Sequence, residues 1–122
     1  MQLEEIYQFF HHLPATYLTQ EQAVCFVLSV LLEGESYGTG LIQKLECDYP
    51  NYRLSDTVLY AALSFLESQS AIASRTQKVD GRGRPRRMYS INPQWHNEAQ
   101  KLAALWRGFV TKQPQVLETV AV

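Results

Sequence analysis

The alternation of apolar and polar residues divides the chain into segments with different periods. Residues 3–12 place Leu3, Ile6 and Phe10 three and four positions apart behind Glu4 and Glu5, which predicts a short amphipathic helix closed by Pro14. A helix of that length is marginal in water alone, so its apolar face needs something to pack on. Thr19-Gln20-Glu21-Gln22 then reads as a capping box, because the threonine oxygen can accept the Gln22 amide while the Gln22 side chain returns to the threonine amide. The helix it opens runs to about Glu33, is apolar on most sides, and ends at Gly34; it is the expected central helix.

Ser36 is expected to cap a second helix from Tyr37 to about Asp48, with Leu41, Ile42 and Leu45 turned inward and Pro50 as its stop. After a short extended link at Arg53-Leu54, Ser55 is a good N-cap for a third helix to about Gln69. One face of this helix, Leu59, Ala62, Leu63 and Leu66, is apolar. The opposite face carries Asp56, Thr57, Tyr60, Ala61 and Ser64, almost without charge, where a solvated helix would show Glu and Lys. Uncharged hydrogen-bonding groups suit a helix that lies against base edges. An exposed face short of charge is the plainer alternative.

Ile72 to Lys78 and Met88 to Ile91 have strand-forming residues, and Asp80-Gly81 between them is a reversal signal, so a two-stranded hairpin is expected. Asn92-Pro93 begins a long helix over 92–113, since no second breaker appears until Pro114. Its large apolar residues, Trp95, Ala99, Leu102, Trp106 and Phe109, recur at spacings of four and three, a heptad-like seam widened by Leu105 and Val110. The seam is a candidate dimer interface through Trp95, Leu102, Trp106 and Phe109, joined by Ile6 and Phe10 of the first helix. Packing on the domain's own core is the alternative.

Charge sharpens this picture. The net charge of −1 conceals a segregation: residues 75–91 hold Arg75, Lys78, Arg82, Arg84, Arg86 and Arg87 against one acid, Asp80. An acidic body with one basic projection points to a polyanion held at one place. Arg82-Gly83-Arg84-Pro85 is also the core used by AT-hook peptides, whose arginines enter a narrow A·T minor groove. Arg82 and Arg84 are therefore expected to insert, and Lys78, Arg86 and Arg87 to hold phosphates; simple phosphate contacts by all five are the alternative. On the third helix Thr57, Tyr60 and Ser64 are expected at the groove, with Ser55 and the helix N-terminus on a phosphate. Tyr37 and Thr39 are weaker phosphate candidates.

Other classes recede. The 122 residues, 46% of them hydrophobic, suit one domain spanning 1–122. The longest apolar run, Ala23 to Leu32, is too short to cross a membrane, and no Lys or Arg precedes Lys44 to support an export signal; a cytoplasmic protein is expected. Cys25 and Cys47 suggest buried free thiols rather than a disulfide framework. A metal site built on His11, His12, His96 and a cysteine is disfavoured because adjacent histidines point to different helix faces. No metal or other cofactor is expected. No nucleophile-base grouping or phosphate loop is present, so the protein is not expected to be an enzyme.

The expected fold is mainly α (α+β): a winged helix-turn-helix core over 19–91, with a recognition helix at 55–69 and a wing at 72–91, plus an extra N-terminal helix and a long C-terminal dimerisation helix. The run Leu59-Tyr60-Ala61-Ala62-Leu63-Ser64-Phe65-Leu66-Glu67, then Ile72, then Gly83-Arg84-Pro85-Arg86-Arg87-Met88-Tyr89-Ser90-Ile91, resembles the PadR-type winged-helix regulators, and Tyr37-Gly38 before Leu41-Ile42 fits the start of their second helix. The resemblance covers about Gln22 to Ile91. It implies a homodimeric transcriptional repressor on double-stranded DNA, dimerised through its C-terminal helix. The chain departs from the commonest family form in having one terminal helix and an additional N-terminal one. A winged-helix module gripping an acidic partner protein is the alternative function.

Overall fold

The computed structural model describes residues 1–11, 15–78 and 85–112. The described residues form five α-helices: α1 (Leu3–His11), α2 (Gln20–Leu31), α3 (Gly38–Asp48), α4 (Asp56–Ser68) and α5 (His96–Lys112). Among the same residues are five short strands: β1 (Thr16–Tyr17), β2 (Ser36–Tyr37), β3 (Tyr52–Arg53), β4 (Ile72–Gln77) and β5 (Arg86–Ile91).

α2 is the floor of the core. Its capping box forms as its sequence predicts: Thr19 Oγ1 accepts from Gln22 N–H at 3.2 Å, and Gln22 Oε1 accepts from Thr19 N–H at 2.9 Å. Ala23, Phe26, Val27, Leu28 and Leu31 are buried along it. Its one buried polar side chain, Ser29, donates its hydroxyl back to the Phe26 carbonyl at 2.6 Å, so its burial leaves no unmatched donor. α4 crosses α2 on one side with Leu59, Ala62, Leu63 and Leu66, and α5 covers it on another.

Ser36 differs from expectation. It does not cap α3; it lies in β2, with Tyr37 as the N-cap residue and no side-chain cap bond. The reason is a pairing invisible to local sequence: β2 joins β5 antiparallel, Ser36 opposite Tyr89 and Tyr37 opposite Met88. The hairpin is thereby a three-stranded sheet, ordered β2-β5-β4. The link at Arg53 is also a strand, β3, which pairs in parallel with β1 and ties the segment before α2 to the entrance of α4.

α4 ends in a Schellman arrangement: Ser70 N–H donates to the Glu67 carbonyl at 3.0 Å and Ala71 N–H to the Leu66 carbonyl at 2.9 Å. Ser70 occupies the left-handed position at φ 59°, which favours glycine. That turn feeds β4 directly from α4, so the wing is mounted on the end of α4. At the far end of the hairpin Asn92 closes the base: its N–H donates to the Ala71 carbonyl at 2.9 Å and its side chain to the Ser70 carbonyl at 2.6 Å. Asn92 precedes Pro93 as expected, but Pro93–Trp95 form a 3₁₀ turn before α5 begins.

The seam of α5 faces inward. Trp106, expected at a dimer interface, is 2% exposed inside its own chain, edge-on to Phe26, Tyr49 and Tyr52 at ring separations of 5.5, 5.3 and 5.7 Å. Trp95, Leu102 and Phe109 are half-buried against the same core. This corrects the assignment of Trp106 to a free interface: heptad spacing specifies a helix that packs along one stripe, and α2 supplies the surface in cis. Its indole N–H has no hydrogen-bond partner among the described residues, and the Phe109 ring at 6.1 Å is the fourth around it. Leu105, on the other side of α5, is 65% exposed.

Candidate nucleic-acid interface

The candidate interface is built from α4, the N-terminus of α3 and the base of the wing. Ser55 caps α4, its Oγ accepting from Val58 N–H at 3.2 Å. The four buried leucines and alanines on one face of α4 fix its rotation, so the remaining faces are set too. Thr57, Tyr60 and Ser64 all fall on the exposed side, together with Asp56 and Phe65. Tyr60 is half exposed and its hydroxyl rests over the α3 backbone at Gly38, where an added Cβ would lie 2.6 Å from it. Glycine at 38 lets the Tyr60 hydroxyl approach this closely, a side chain there would have to push it aside, and Tyr60 thereby bridges the two helices of the helix-turn-helix.

Beside α4 lies a groove of about 670 Å³ floored by Leu63 and Tyr89, with Tyr37, Tyr60, Ser64 and Arg86 among its walls. Strand alternation decides what each wing residue does there. Across the β4–β5 ladder Ser74 stands opposite Tyr89 and Thr76 opposite Arg87, so Ser74, Arg87 and Tyr89 share one face. On that face Arg87 donates from Nε to Ser74 Oγ at 3.0 Å and from Nη2 to Glu67 Oε2 at 3.2 Å. Burial raises the Tyr89 hydroxyl above its ordinary pKa, the cation of Arg87 opposing that shift.

Arg86, Met88 and Tyr37 share the opposite face. The Arg86 guanidinium lies 3.9 Å from the centre of the Tyr37 ring. Arg75, on this face as well, makes two hydrogen bonds to the Glu35 carboxylate, which raises the guanidinium pKa further above its usual value. Lys78, the residue after β4, is exposed.

The basic residues therefore separate into groups. Arg75 and Arg87 are held by carboxylates of the same chain, Arg86 is stacked and outward, and Arg82 and Arg84 lie outside the described residues. Arg87 departs most from the expected phosphate contact. Glu35 and Glu67, which hold the two tied arginines, were not singled out from sequence. A signal for Glu67 existed: it follows Tyr60 by seven and Ser64 by three, which puts it on their face of the helix.

Of the expected dimer residues, Ile6 is 41% exposed on α1, whereas the Phe10 side chain lies outside those described. His12 lies outside the described residues. Among those described, no three His, Cys, Asp or Glu side chains are placed to hold a metal ion, and no helix is long and apolar enough to cross a membrane.

The description "Transcriptional regulator PadR-like family" belongs to the family model that matches residues 27–101, which takes in α3, α4, the wing and the first turns of α5. The chain belongs to the PadR-like family. The chain is also similar to solved structures of the circadian clock associated protein Pex from Anabaena, at 57% identity, 91% coverage of this chain, 96% of that one and a TM-score of 0.80. Pex from Synechococcus sp. is 52% identical, with coverages of 90% and 98% and a TM-score of 0.83. At 20% identity, Bacillus subtilis PadR in complex with operator DNA covers 66% of this chain and 44% of its own, with a TM-score of 0.55, and shares the fold. No curated protein matches the sequence significantly. The winged helix-turn-helix expected from the residues is thus the fold of this PadR-like regulator, and its assignment is to transcription regulators rather than to enzymes.

Proposed function

We propose that the protein is a homodimeric repressor that binds operator DNA, with α4 in the major groove and the wing along the flanking backbone and minor groove. The observation that carries this reading is the outward side of α4, where Thr57, Tyr60 and Ser64 offer hydroxyls beside an outward Arg86 on the adjoining sheet. Hydroxyls can read base edges in either direction of hydrogen bonding, and an adjacent guanidinium supplies the phosphate contact. Ser55 and the free amides at the start of α4 receive a second phosphate, and Lys78 a third. Arg82 and Arg84 enter an A·T-rich minor groove at the wing tip.

The dimer forms through α1, whose Leu3 and Ile6 are exposed, and through the outer side of α5 at Leu105. The reading extends to a target among clock genes, in line with the likeness to a circadian clock associated protein, to a cytoplasmic location, and to a single 1–122 domain with its winged-helix core at 19–91.

Selection of bound fragments from random duplex DNA tests the function directly. A two-fold symmetric site with half-site centres about 34 Å apart and A·T-rich flanks is expected. Recovery of fragments without symmetry contradicts the dimer, and no enrichment above input contradicts DNA recognition. Replacing both Arg82 and Arg84 by lysine keeps the charge and removes the flat guanidinium, so binding should fall more on A·T-rich than on G·C-rich flanks. An equal fall on both would reduce the tip to phosphate contacts.

A further inference from the structure

Two neighbouring arginines on one strand, Arg86 and Arg87, have opposite surroundings. Arg87 points to the α4 side and is held by Glu67 and Ser74. Arg86 leaves the opposite face of the strand, is exposed at the wall of the same groove, and among the described residues lies within 4.0 Å of no carboxylate. What it has instead is Tyr37. Because Tyr37 pairs with Met88 across β2 and β5, it is the diagonal neighbour of Arg86 on the same face, close enough for a long side chain to fold onto it. The guanidinium lies over the ring at 3.9 Å.

The ring itself is seated. An added Cβ at Gly40 would meet Cε1 and Cζ of Tyr37 at 3.0 Å, so the first turn of α3 leaves room for the tyrosine where alanine would press on it. Tyr37 also begins α3 as its N-cap residue and is tied to β5 through the sheet. Its position is consequently fixed by both the helix-turn-helix and the wing.

We propose that Tyr37 is the positioning residue for Arg86: it holds the guanidinium, already ordered, at the boundary of α3 and the wing, where it meets a DNA phosphate. This inference rests on the DNA-binding reading and adds to it a division of labour, in which Arg86 contacts the ligand and Arg87 braces the wing on α4. A free arginine loses much rotamer freedom when it engages a phosphate; one stacked on a ring has lost it beforehand. Stacking on the ring's π face leaves the edge of the planar guanidinium, with its N–H donors, available to the phosphate.

The test measures duplex affinity of the full-length protein by fluorescence anisotropy over a range of salt concentrations, for wild type, Arg86→Ala, Arg87→Ala, Tyr37→Leu, Tyr37→Phe and the double variant Tyr37→Leu/Arg86→Ala. Loss of one phosphate contact should lower the slope of log K against log salt by about 0.9, a readout that a general loss of stability does not move in that way. Arg86→Ala should lower it by that amount, Tyr37→Leu by a large part of it, and Tyr37→Phe should restore it. The double variant should bind no worse than Arg86→Ala alone, because the two residues act as one unit. Should Tyr37→Leu fail to fold, Gly40→Ala, which presses on the ring without removing it, is read in its place with the same expected direction.

Additive losses, or an unchanged slope in Tyr37→Leu, would overturn the positioning role while leaving DNA binding intact. An equal loss in Arg86→Ala and Arg87→Ala would overturn the division of labour. A wild-type slope near zero would overturn the DNA-binding reading, and the role of Tyr37 with it.

Discussion

The two terminal helices, α1 and α5, have similar apolar spacings in sequence and very different surroundings in the fold. Along α5 the seam at Trp95, Ala99, Leu102, Trp106 and Phe109 is met by α2, Tyr49 and Tyr52 of the same chain. Along α1 every residue from Met1 to Gln8 is exposed, Leu3 at 68% and Ile6 at 41%. A period of three and four states that a helix has one face to bury. It does not state whether the surface that buries it belongs to the same chain. For α5 that surface is the floor helix, and for α1 the proposed dimer would supply it from a second copy.

The difference can be broken in order of expected effect. Trp106→Ala should be the most damaging, costing about 3–5 kcal/mol in urea unfolding because it opens a cavity among four rings. Trp106→Phe should cost clearly less, since it keeps much of the ring contact and removes an unsatisfied N–H. A Trp106→Ala cost below about 1 kcal/mol would return that residue to an interface.

Leu3→Ser combined with Ile6→Glu should act the other way, with little effect on the folded monomer but conversion of the proposed dimer to monomer in sedimentation. The wild-type melting temperature should then rise with protein concentration and that of the variant should not, as mass action requires. Thr19→Ala removes one arm of the capping box beneath α5 and should cost about 1 kcal/mol without changing self-association. Leu105→Ser should be smallest in stability, within about 0.5 kcal/mol, and should still weaken the dimer if the outer side of α5 contributes to it.

Local signals carried the helices well. The threonine-glutamine box at Thr19, the serine cap at Ser55 and the apolar stripe of α4 are all contained within a few adjacent residues, and each forms as its residues dictate. What local sequence hid was pairing at a distance. Ser36 looks like a cap until β5 arrives to pair with it, and Arg53 looks like a link until β1 does. The site divides the same way. Exposure of Thr57, Tyr60 and Ser64 followed from helical period, while the fates of the arginines depended on acids distant in sequence, Glu35 for Arg75 and Glu67 for Arg87. A stricter use of strand alternation would have set Arg86 and Arg87 on opposite faces from sequence alone, since adjacent residues of a strand cannot share one.

The central claim is that α4 and the wing form one surface for a polyanion. It is tested most directly by the salt dependence of binding to a duplex of random sequence. Contacts through Lys78, Arg86 and the arginines of the wing tip should neutralise several phosphates, so the affinity should fall with log salt at a slope steeper than about −2. Binding that is undetectable at low salt, or whose affinity is the same at low and high salt, would contradict the account.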